Sequence, residues 1–313
     1  MNIWPFGNKE ADEEKKRQKA LQQQAQAEQA ESLAAMERGG LPLKARKRLQ
    51  ESQAGPRKLF TSDFSTNEFL LIKEAGYEPL GLVVGTAFFK VGFFDFYTAP
   101  AGFGELGRLV QARAKLRATA IKRLEDEAKL LGAHGVIGVE IEARSVDWSN
   151  GLMEYAAVGT AIRVPGRPLP ERPFTCDLSA QEFQKLRAAG YWPLALVYGI
   201  SVQYVPNRFY YGFTWGNTEM TDVSQAFAAA RHQASHRLDA AARQLGAEGV
   251  VGSEIEFFDE EIEYEVQRGD DEVTQRDLMV EFLARGTAIA PDPHPLPAPS
   301  ASPLVMMTLN PRA

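Results

Sequence analysis

The chain has 313 residues, a formal net charge of −6, 44% hydrophobic residues and 24% charged residues, as expected for a globular protein of about two domains. The negative charge disfavours a general nucleic-acid-binding role, because there is no excess of Lys and Arg to displace counterions from phosphates. The single cysteine, Cys176, excludes an internal disulfide framework and fits a reducing compartment. No apolar run approaches the roughly 20 residues that span a bilayer, and the N-terminus lacks a signal-peptide pattern, so we predict a cytoplasmic protein.

Residues 1–58 are predicted to be a helical or disordered leader with a basic cluster. Glu, Lys, Gln and Ala dominate positions 8–37 and favour a helix, whereas apolar residues are too sparse for a coiled-coil seam. The pattern predicts a solvated helix or a partly disordered arm. A hydrophobic tip at residues 1–7 and the basic cluster would together give residues 1–50 a weak contact with a membrane surface or a protein partner. The alternative is an ordinary flexible leader. The cluster consists of Lys44, Arg46, Lys47 and Arg48.

The rest of the chain contains one pattern twice, 114 positions apart. Leu131-Gly-Ala-His-Gly-Val-Ile-Gly-Val-Glu-Ile-Glu142 reappears as Leu245-Gly-Ala-Glu-Gly-Val-Val-Gly-Ser-Glu-Ile-Glu256. Each copy ends a helical pattern at a glycine and continues into an alternating strand. This similarity predicts that two equivalent structural units follow one another along the chain.

Two helices are predicted in each copy. A capping box, Ser65 with Glu68 and Ser179 with Glu182, predicts the start of a short helix. A long amphipathic helix follows, because apolar residues recur at helical spacing in matching positions of both copies. These apolar stripes consist of Leu109, Ala112, Leu116, Ala120, Leu124, Ala128 and Leu131, and of Val223, Ala226, Ala230, Ala234, Leu238, Ala242 and Leu245.

Strands surround each long helix in the predicted α+β fold. A hairpin in each copy returns to a Gly-Thr-Ala-Ile strand, at residues 159–162 and 286–289, and the change of offset from 114 to 127 makes the second hairpin about 13 residues longer. We therefore predict two tandem copies of a small module, each a mostly antiparallel curved sheet with one long helix, plus an N-terminal helical arm. The predicted boundaries are 1–58 for the leader, 59–165 for the first repeat, 166–173 for a Pro-rich linker, 174–290 for the second repeat and 291–313 for a disordered Pro-rich tail.

The repeated motifs resemble the YbjQ-like family of small bacterial domains. The resemblance rests on the Leu-Gly-Ala-x-Gly-Val-(Ile/Val)-Gly strand entry, the terminal Gly-Thr-Ala-Ile strand and the Pro-Leu-Gly-Leu-Val-Val-Gly stretch that ends at Gly85. It implies a small α+β domain and a ring-like homo-oligomer, commonly a pentamer, and it brings a heavy-metal-binding label without an agreed ligand set. This chain departs from the family by its duplication, its leader, the capped short helix and the long second hairpin. Fused pairs of domains would instead build a pseudo-symmetric assembly of larger order.

A histidine pair is the first candidate metal site. His232 and His236 are four residues apart on the second long helix, so both imidazoles can reach one ion. Zinc needs further ligands, which a neighbouring subunit would have to supply. The alternative is a pair of solvent-facing histidines, and the first copy has Ala118 and Lys122 at these positions.

Clustered glutamates are the second candidate metal site. Carboxylates two residues apart on a strand point the same way and suit a hard cation such as calcium or magnesium. The alternatives are carboxylates that meet arginines across an interface and a merely solvated or subunit-facing strand surface. The glutamates are Glu140 and Glu142, Glu254 and Glu256, with Glu154 and Glu281 on the partner strands.

Other motifs indicate no particular reaction. The stretch from Gly102 to Gly107 fits G-x-G-x-x-G before a helix, but the second copy has Gly216, Thr218 and Thr221 at the three glycine positions, so we interpret it as a connection rather than a phosphate site. Cys176 has no basic neighbour in sequence that would make it a nucleophile. The aromatic connections at residues 93–97 and 209–215 favour a core or a subunit interface, with a hydrophobic ligand groove as the alternative.

We therefore predict a non-enzymatic, oligomeric binding or scaffold protein of the bacterial cytoplasm. It would self-associate into a ring-like oligomer and bind no nucleic acid, and no cofactor beyond a possible divalent metal is expected. The alternative is a metal-binding or metal-sensing protein that uses the histidine pair or the acidic strands.

Overall fold

The computed structural model describes residues 9–54, 60–90, 104–147, 152–206, 219–268 and 271–294. Within these ranges the chain has a mixed α+β fold with curved sheets, which confirms the predicted fold class. The helices are α1 (Lys9–Glu37), α2 (Leu43–Gln53), α3 (Thr66–Glu74), α4 (Gly107–Leu130), α5 (Ala180–Ala188) and α6 (Thr221–Gln244). The strands are β1 (Glu78–Lys90), β2 (Gly104–Glu105), β3 (Gly135–Asp147), β4 (Leu152–Arg163), β5 (Phe174–Thr175), β6 (Tyr191–Val205), β7 (Gly249–Arg268) and β8 (Asp271–Pro291).

The strands form two four-stranded sheets with the orders β1-β4-β3-β5 and β2-β6-β8-β7. All neighbouring strands are antiparallel except β3 and β5, which are parallel. We call β1, β3 and β4 with α3 and α4 the first half, and β6, β7 and β8 with α5 and α6 the second half. Strand β2 directly precedes α4 and so belongs to the first half, but it pairs with β6 of the second half. Strand β5 precedes α5 and so belongs to the second half, but it pairs with β3 of the first half. Backbone hydrogen bonds therefore interlock the two halves.

Each long helix lies across its own sheet at a glycine. A Cβ atom added at Gly85 would overlap the carbonyl oxygen of Ala120 and lie 2.6 Å from the amide nitrogen of Leu124. At Gly199 it would overlap the carbonyl oxygen of Ala234 and lie 2.6 Å from the amide nitrogen of Leu238. A glycine therefore allows the backbones of helix and strand to touch at the same place in both halves.

The apolar stripes of α4 and α6 face these sheets. Their central members are buried in the hydrophobic clusters of the two halves. Leu245 is an exception, because it is 39% exposed although the pattern predicted it as part of the second stripe. Its counterpart Leu131 is buried in a cluster that also contains Leu49 of α2, and within the described ranges no comparable helix covers the end of α6.

Both predicted capping boxes form. The Ser65 and Ser179 hydroxyls accept hydrogen bonds from the amides of Glu68 and Glu182, whose carboxylates accept from the serine amides in return. These reciprocal bonds satisfy N–H groups that a helix otherwise leaves without partners. Helices α3 and α5 therefore begin where the sequence predicts.

The basic cluster of the leader forms ion pairs within the chain. Arg46 and Lys47 of α2 lie 3.5 and 2.6 Å from carboxylates of α1, and Arg48 lies 2.6 Å from the carboxylate of Glu127 on α4. These pairs occupy three of the four positive charges that suggested a membrane or partner contact. The hydrophobic tip at residues 1–7 lies outside the described ranges.

The start of the predicted tail is part of the folded structure. Strand β8 ends at Pro291, and Asp292 is buried, where it binds Arg187 and accepts a hydrogen bond of 2.9 Å from Arg167. This segment is therefore attached to Arg187 of α5 and to Arg167 of the predicted linker. Residues 295–313 of the predicted tail lie outside the described ranges.

Candidate assembly interface

Backbone hydrogen bonds connect the two halves at β3 and β5. The amide of Phe174 donates to the carbonyl of His134, and the amide of Cys176 donates to the carbonyl of Val136. The amide of Val139 in turn donates to the carbonyl of Cys176. The segment before α5, which begins the predicted second repeat at residue 174, therefore forms a strand of the first half's sheet.

A second backbone connection runs in the opposite direction. Strand β2 of the first half pairs with β6 at Gln203 and Tyr204, and the amide of Leu106 donates to the carbonyl of Val202. Leu106 and Val202 are buried, as are Val136 and Phe174 at the other connection. Each connection thus combines sheet hydrogen bonds with apolar burial, and both terms stabilise the contact.

An ion pair lies beside the second connection. The Arg237 guanidinium donates to both carboxylate oxygens of Glu105 at 2.6 and 2.7 Å, and it also donates to the carbonyl of Ile200. Although burial opposes it, hydrogen bonds from Arg237 and Ser201 hold the pKa of Glu105 below its usual range. The same carboxylate raises the pKa of Arg237. Two-pronged arginine–carboxylate contacts of this kind fix geometry as well as energy.

A buried charge cluster joins α4 of the first half to β8 of the second. Arg113 and Arg117 contact Glu281, and the Arg117 guanidinium lies 5.2 Å from the centre of the Tyr155 ring. Burial lowers the pKa of Arg113 to about 10 and raises that of Tyr155 to about 12. A cavity of 410 Å³ between the halves is lined by this cluster and by Phe258 of β7. The charges therefore connect the halves where apolar packing is incomplete.

The strands at the other ends of the two sheets, β1 and β7, have no outer neighbour within the described residues. By sequence, β1 corresponds to β6 and β7 corresponds to β3, the two strands whose edges are paired inside the chain. The residues around β1 and β7 are more exposed than their counterparts. Val136 is fully buried, whereas its counterpart Val250 is only half-buried. Three apolar residues that correspond to buried Phe174, Val202 and Leu106 are exposed by 37%, 55% and 43%: Phe60, Phe88 and Met220. Open strand edges with apolar side chains are typical of interaction surfaces.

The predicted histidine pair lies on the exposed surface of α6. His232 and His236 are both exposed. Within the described residues, no group of three or more His, Cys, Asp or Glu is arranged to hold a metal ion. Two imidazoles provide only half of a tetrahedral zinc shell. The described residues around this pair therefore do not fit a complete metal site.

The predicted glutamates face an arginine. Glu254 and Glu256 lie 2.5 and 3.1 Å from the Arg285 guanidinium. Glu140 and Glu142 line the same cleft as Glu254 and Arg285, so the structure brings acidic residues of both halves together. The single guanidinium offsets part of the negative charge that would attract a divalent cation. Arg285 belongs to β8, the strand next to β7, so this contact lies within the second half.

We expect the purified protein to retain less than one equivalent of any divalent metal after dialysis. Two exposed imidazoles without further described ligands bind zinc weakly, and Arg285 occupies the acidic cleft. Elemental analysis of the wild-type protein and of the His232→Ala/His236→Ala variant measures this. One equivalent of metal in the wild type that is lost in the variant would contradict the expectation.

The remaining sequence candidates have structural positions or lie outside the described ranges. Cys176 is fully buried, and burial raises the pKa of its thiol, which opposes a role as a nucleophile. His134 is buried, and its Nδ1 accepts a hydrogen bond from the amide of Val164. Gly102 and the aromatic connections at residues 93–97 and 209–215 lie outside the described ranges.

Sequence reasoning missed the charged residues that connect the halves. Arg113, Arg117 and Arg237 lie off or beside the apolar stripes, in positions where charges usually face water. The sequence does contain one indication of the ion pair. Glu105 and Arg237 each have a counterpart of the same charge in the other half, Glu219 and Arg123. Charges that only face water need not match between the two copies in this way.

Comparisons with known proteins identify the family. A family model described as "Putative heavy-metal-binding" matches residues 76–165. An encapsulin nanocompartment protein of Mycobacterium tuberculosis is 36% identical over 206 residues, which cover 62% of this chain and 77% of that protein. A UPF0145 protein of Actinobacillus pleuropneumoniae is 37% identical over 82 residues, or 26% and 76% of the two chains. One from Clostridium botulinum is 34% identical over 74 residues, or 24% and 65%. Within the described residues, no helix is long and apolar enough to cross a membrane.

The family model and the UPF0145 relatives show that the chain belongs to the YbjQ-like family.

Proposed function

We propose that the chain is a non-enzymatic scaffold protein of the cytoplasm that assembles with copies of itself, built from two tandem copies of one module. One observation carries the proposal. The start of β3, which contains Val136, pairs with β5, whereas the corresponding start of β7 with Val250 has no outer neighbour among the described residues. Because an exposed apolar edge favours pairing with another strand, a further module is the natural occupant.

The similarity to the encapsulin nanocompartment protein supports an assembled state. That name describes the relative, and we extend to this chain only the self-assembly that it suggests. The tandem arrangement is supported by the matching helix–strand contacts at Gly85 and Gly199. An enzymatic role has less support, because the buried ionisable groups at the interface are arginine–carboxylate pairs rather than a nucleophile beside a base.

We expect the purified protein to have a molar mass of several times 34.6 kDa, the mass of one chain. Size-exclusion chromatography with multi-angle light scattering at micromolar concentration measures this mass. As far as the structure describes the chain, the edges of β1 and β7 stay open, which is the reason to expect association. A mass of one chain over the whole concentration range would contradict the proposed function.

A further inference from the structure

The contact between the halves leaves two unequal ends on each chain. The first half presents the open edge of β1 together with Phe60 and Phe88, and the second half presents the open edge of β7 together with Met220. By sequence, the β1 end corresponds to the surface with which the second half binds the first half inside the chain. The β7 end corresponds to the surface with which the first half binds the second half. The two open ends are therefore counterparts of surfaces that already bind each other.

We propose that the first half of one chain docks on the second half of another, and that this contact repeats between chains the interface found within each chain. The occupant of both open ends is thus a second copy of this chain. This inference rests on the proposed self-assembly and adds the residues and the orientation. Such a head-to-tail contact always leaves one free end of each kind, so it continues until a ring closes or a filament forms.

The backbone part of the contact extends the sheet of the second half. Within the chain, residues 174–175 pair in parallel with β3 at Gly135 and Val136. The counterparts are residues 60–61 of one copy and residues 249–250 at the open edge of β7 in the next. Thr175 is fully buried in the internal contact, whereas its counterpart Thr61 is exposed in a single chain. Adding a strand to an open sheet edge supplies main-chain hydrogen bonds, and the alternate side chains supply specificity.

The residues that correspond to the internal ion pair of Arg237 and Glu105 are Arg123 and Glu219, which do not bind each other within one chain. Arg123 donates to the carbonyl of Thr86 at 2.5 Å, as Arg237 donates to the carbonyl of Ile200. Within the described residues Arg123 has no carboxylate partner, and its buried Nε has no hydrogen-bond partner. Burial accordingly lowers the pKa of Arg123, the opposite of the shift in Arg237. A buried guanidinium of this kind needs a counter-charge.

Glu219 is the carboxylate that this counterpart pair requires. It corresponds to Glu105, immediately precedes the residue that caps α6, and is exposed, with a hydrogen bond from the Ser224 hydroxyl. Docking a second copy by the internal geometry brings Glu219 of one chain to Arg123 of the next. Burial of both groups then strengthens their attraction, because fewer water molecules screen the charges.

A second charged pair supports the same orientation. Inside the chain, Glu281 of β8 lies 3.8 Å from Arg117 of α4. The counterparts are Glu154 of β4, which is half-buried and also lines the cavity between the halves, and Arg231 of α6, which is exposed. Opposite charges therefore meet at two separate places when the internal contact is repeated. Complementary charge placed in this way fixes the orientation of partners.

The test reverses each charge at one end only. Glu219→Arg and Arg123→Glu are each expected to weaken self-association roughly 30-fold or more, as measured by light scattering and analytical ultracentrifugation. Mixing the two variants is expected to restore assembly, because each provides the end that the other lacks. Arg231→Glu and Glu154→Arg repeat the test at the second charged pair, where Arg231 is exposed in a single chain. Glu14→Arg, an equal charge change on exposed α1, is the control and should assemble like the wild type.

The outcomes separate the inference from the proposed function. A monomeric wild type would contradict both. A wild type that assembles, with all four reversed variants assembling equally well, would overturn the inference and leave the scaffold function in place. Loss of assembly in folded single variants without recovery in the mixture would also overturn it, because the two charges would then not meet.

Discussion

Replacing Gly85 or Gly199 by alanine is expected to lower the free energy of unfolding by about 3 kcal/mol, with a decrease in Tm on the order of 10 °C. The new methyl group would overlap the carbonyl oxygen of Ala120 or Ala234 on the helix that crosses the strand. Backbone atoms cannot rotate away as a side chain can, so the whole helix must move off the sheet. Thermal and urea unfolding of the two variants measure the loss.

Gly107→Ala is the matched control for this prediction. A Cβ atom added at Gly107, the first residue of α4, meets no atom within 4 Å. Alanine there restricts the unfolded chain and favours the helix, so stability should rise by about 0.4–1 kcal/mol. Equal stability of Gly85→Ala and the wild type would contradict the close approach of α4 to β1. A loss in only one of the two strand variants would contradict the equivalence of the halves at this contact.

These glycines show how much of the fold the sequence predicts. The apolar stripes placed Ala120 and Ala234 on the faces of their helices that the structure buries. The capping boxes located the starts of α3 and α5. Such features depend on residues that are neighbours in the sequence, and local hydrogen bonding and periodicity are enough to detect them.

The contact between the halves could not be predicted in the same way. Strand β5 was assigned to the second repeat because residues 174–175 belong to its pattern, yet they pair with β3 of the first half. A two-residue strand has no periodicity of its own, and its partner is chosen by tertiary packing. The basic cluster is a similar case, since Arg48 binds Glu127, a residue 79 positions away.

Replacing Glu281 by glutamine is expected to lower the free energy of unfolding by about 3–5 kcal/mol. The carboxylate is buried between Arg113 and Arg117, so its loss leaves two buried guanidinium groups without their shared counter-charge. Urea unfolding followed by tryptophan fluorescence measures the change. The exposed pair of Glu263 and Arg276 gives the control, because Glu263→Gln should cost less than about 1 kcal/mol.

The cost should come from the loss of this carboxylate charge rather than from lost packing, and a further variant separates these causes. Changing Arg113 and Arg117 to methionine and Glu281 to leucine removes all three charges and keeps similar volumes, so it should recover most of the lost stability. If the triple variant were as unstable as Glu281→Gln, the charge cluster would not be the cause. Because these residues join α4 to β8, recovered stability would show that charge neutralisation, not a specific ion pair, is what the contact between the halves requires there.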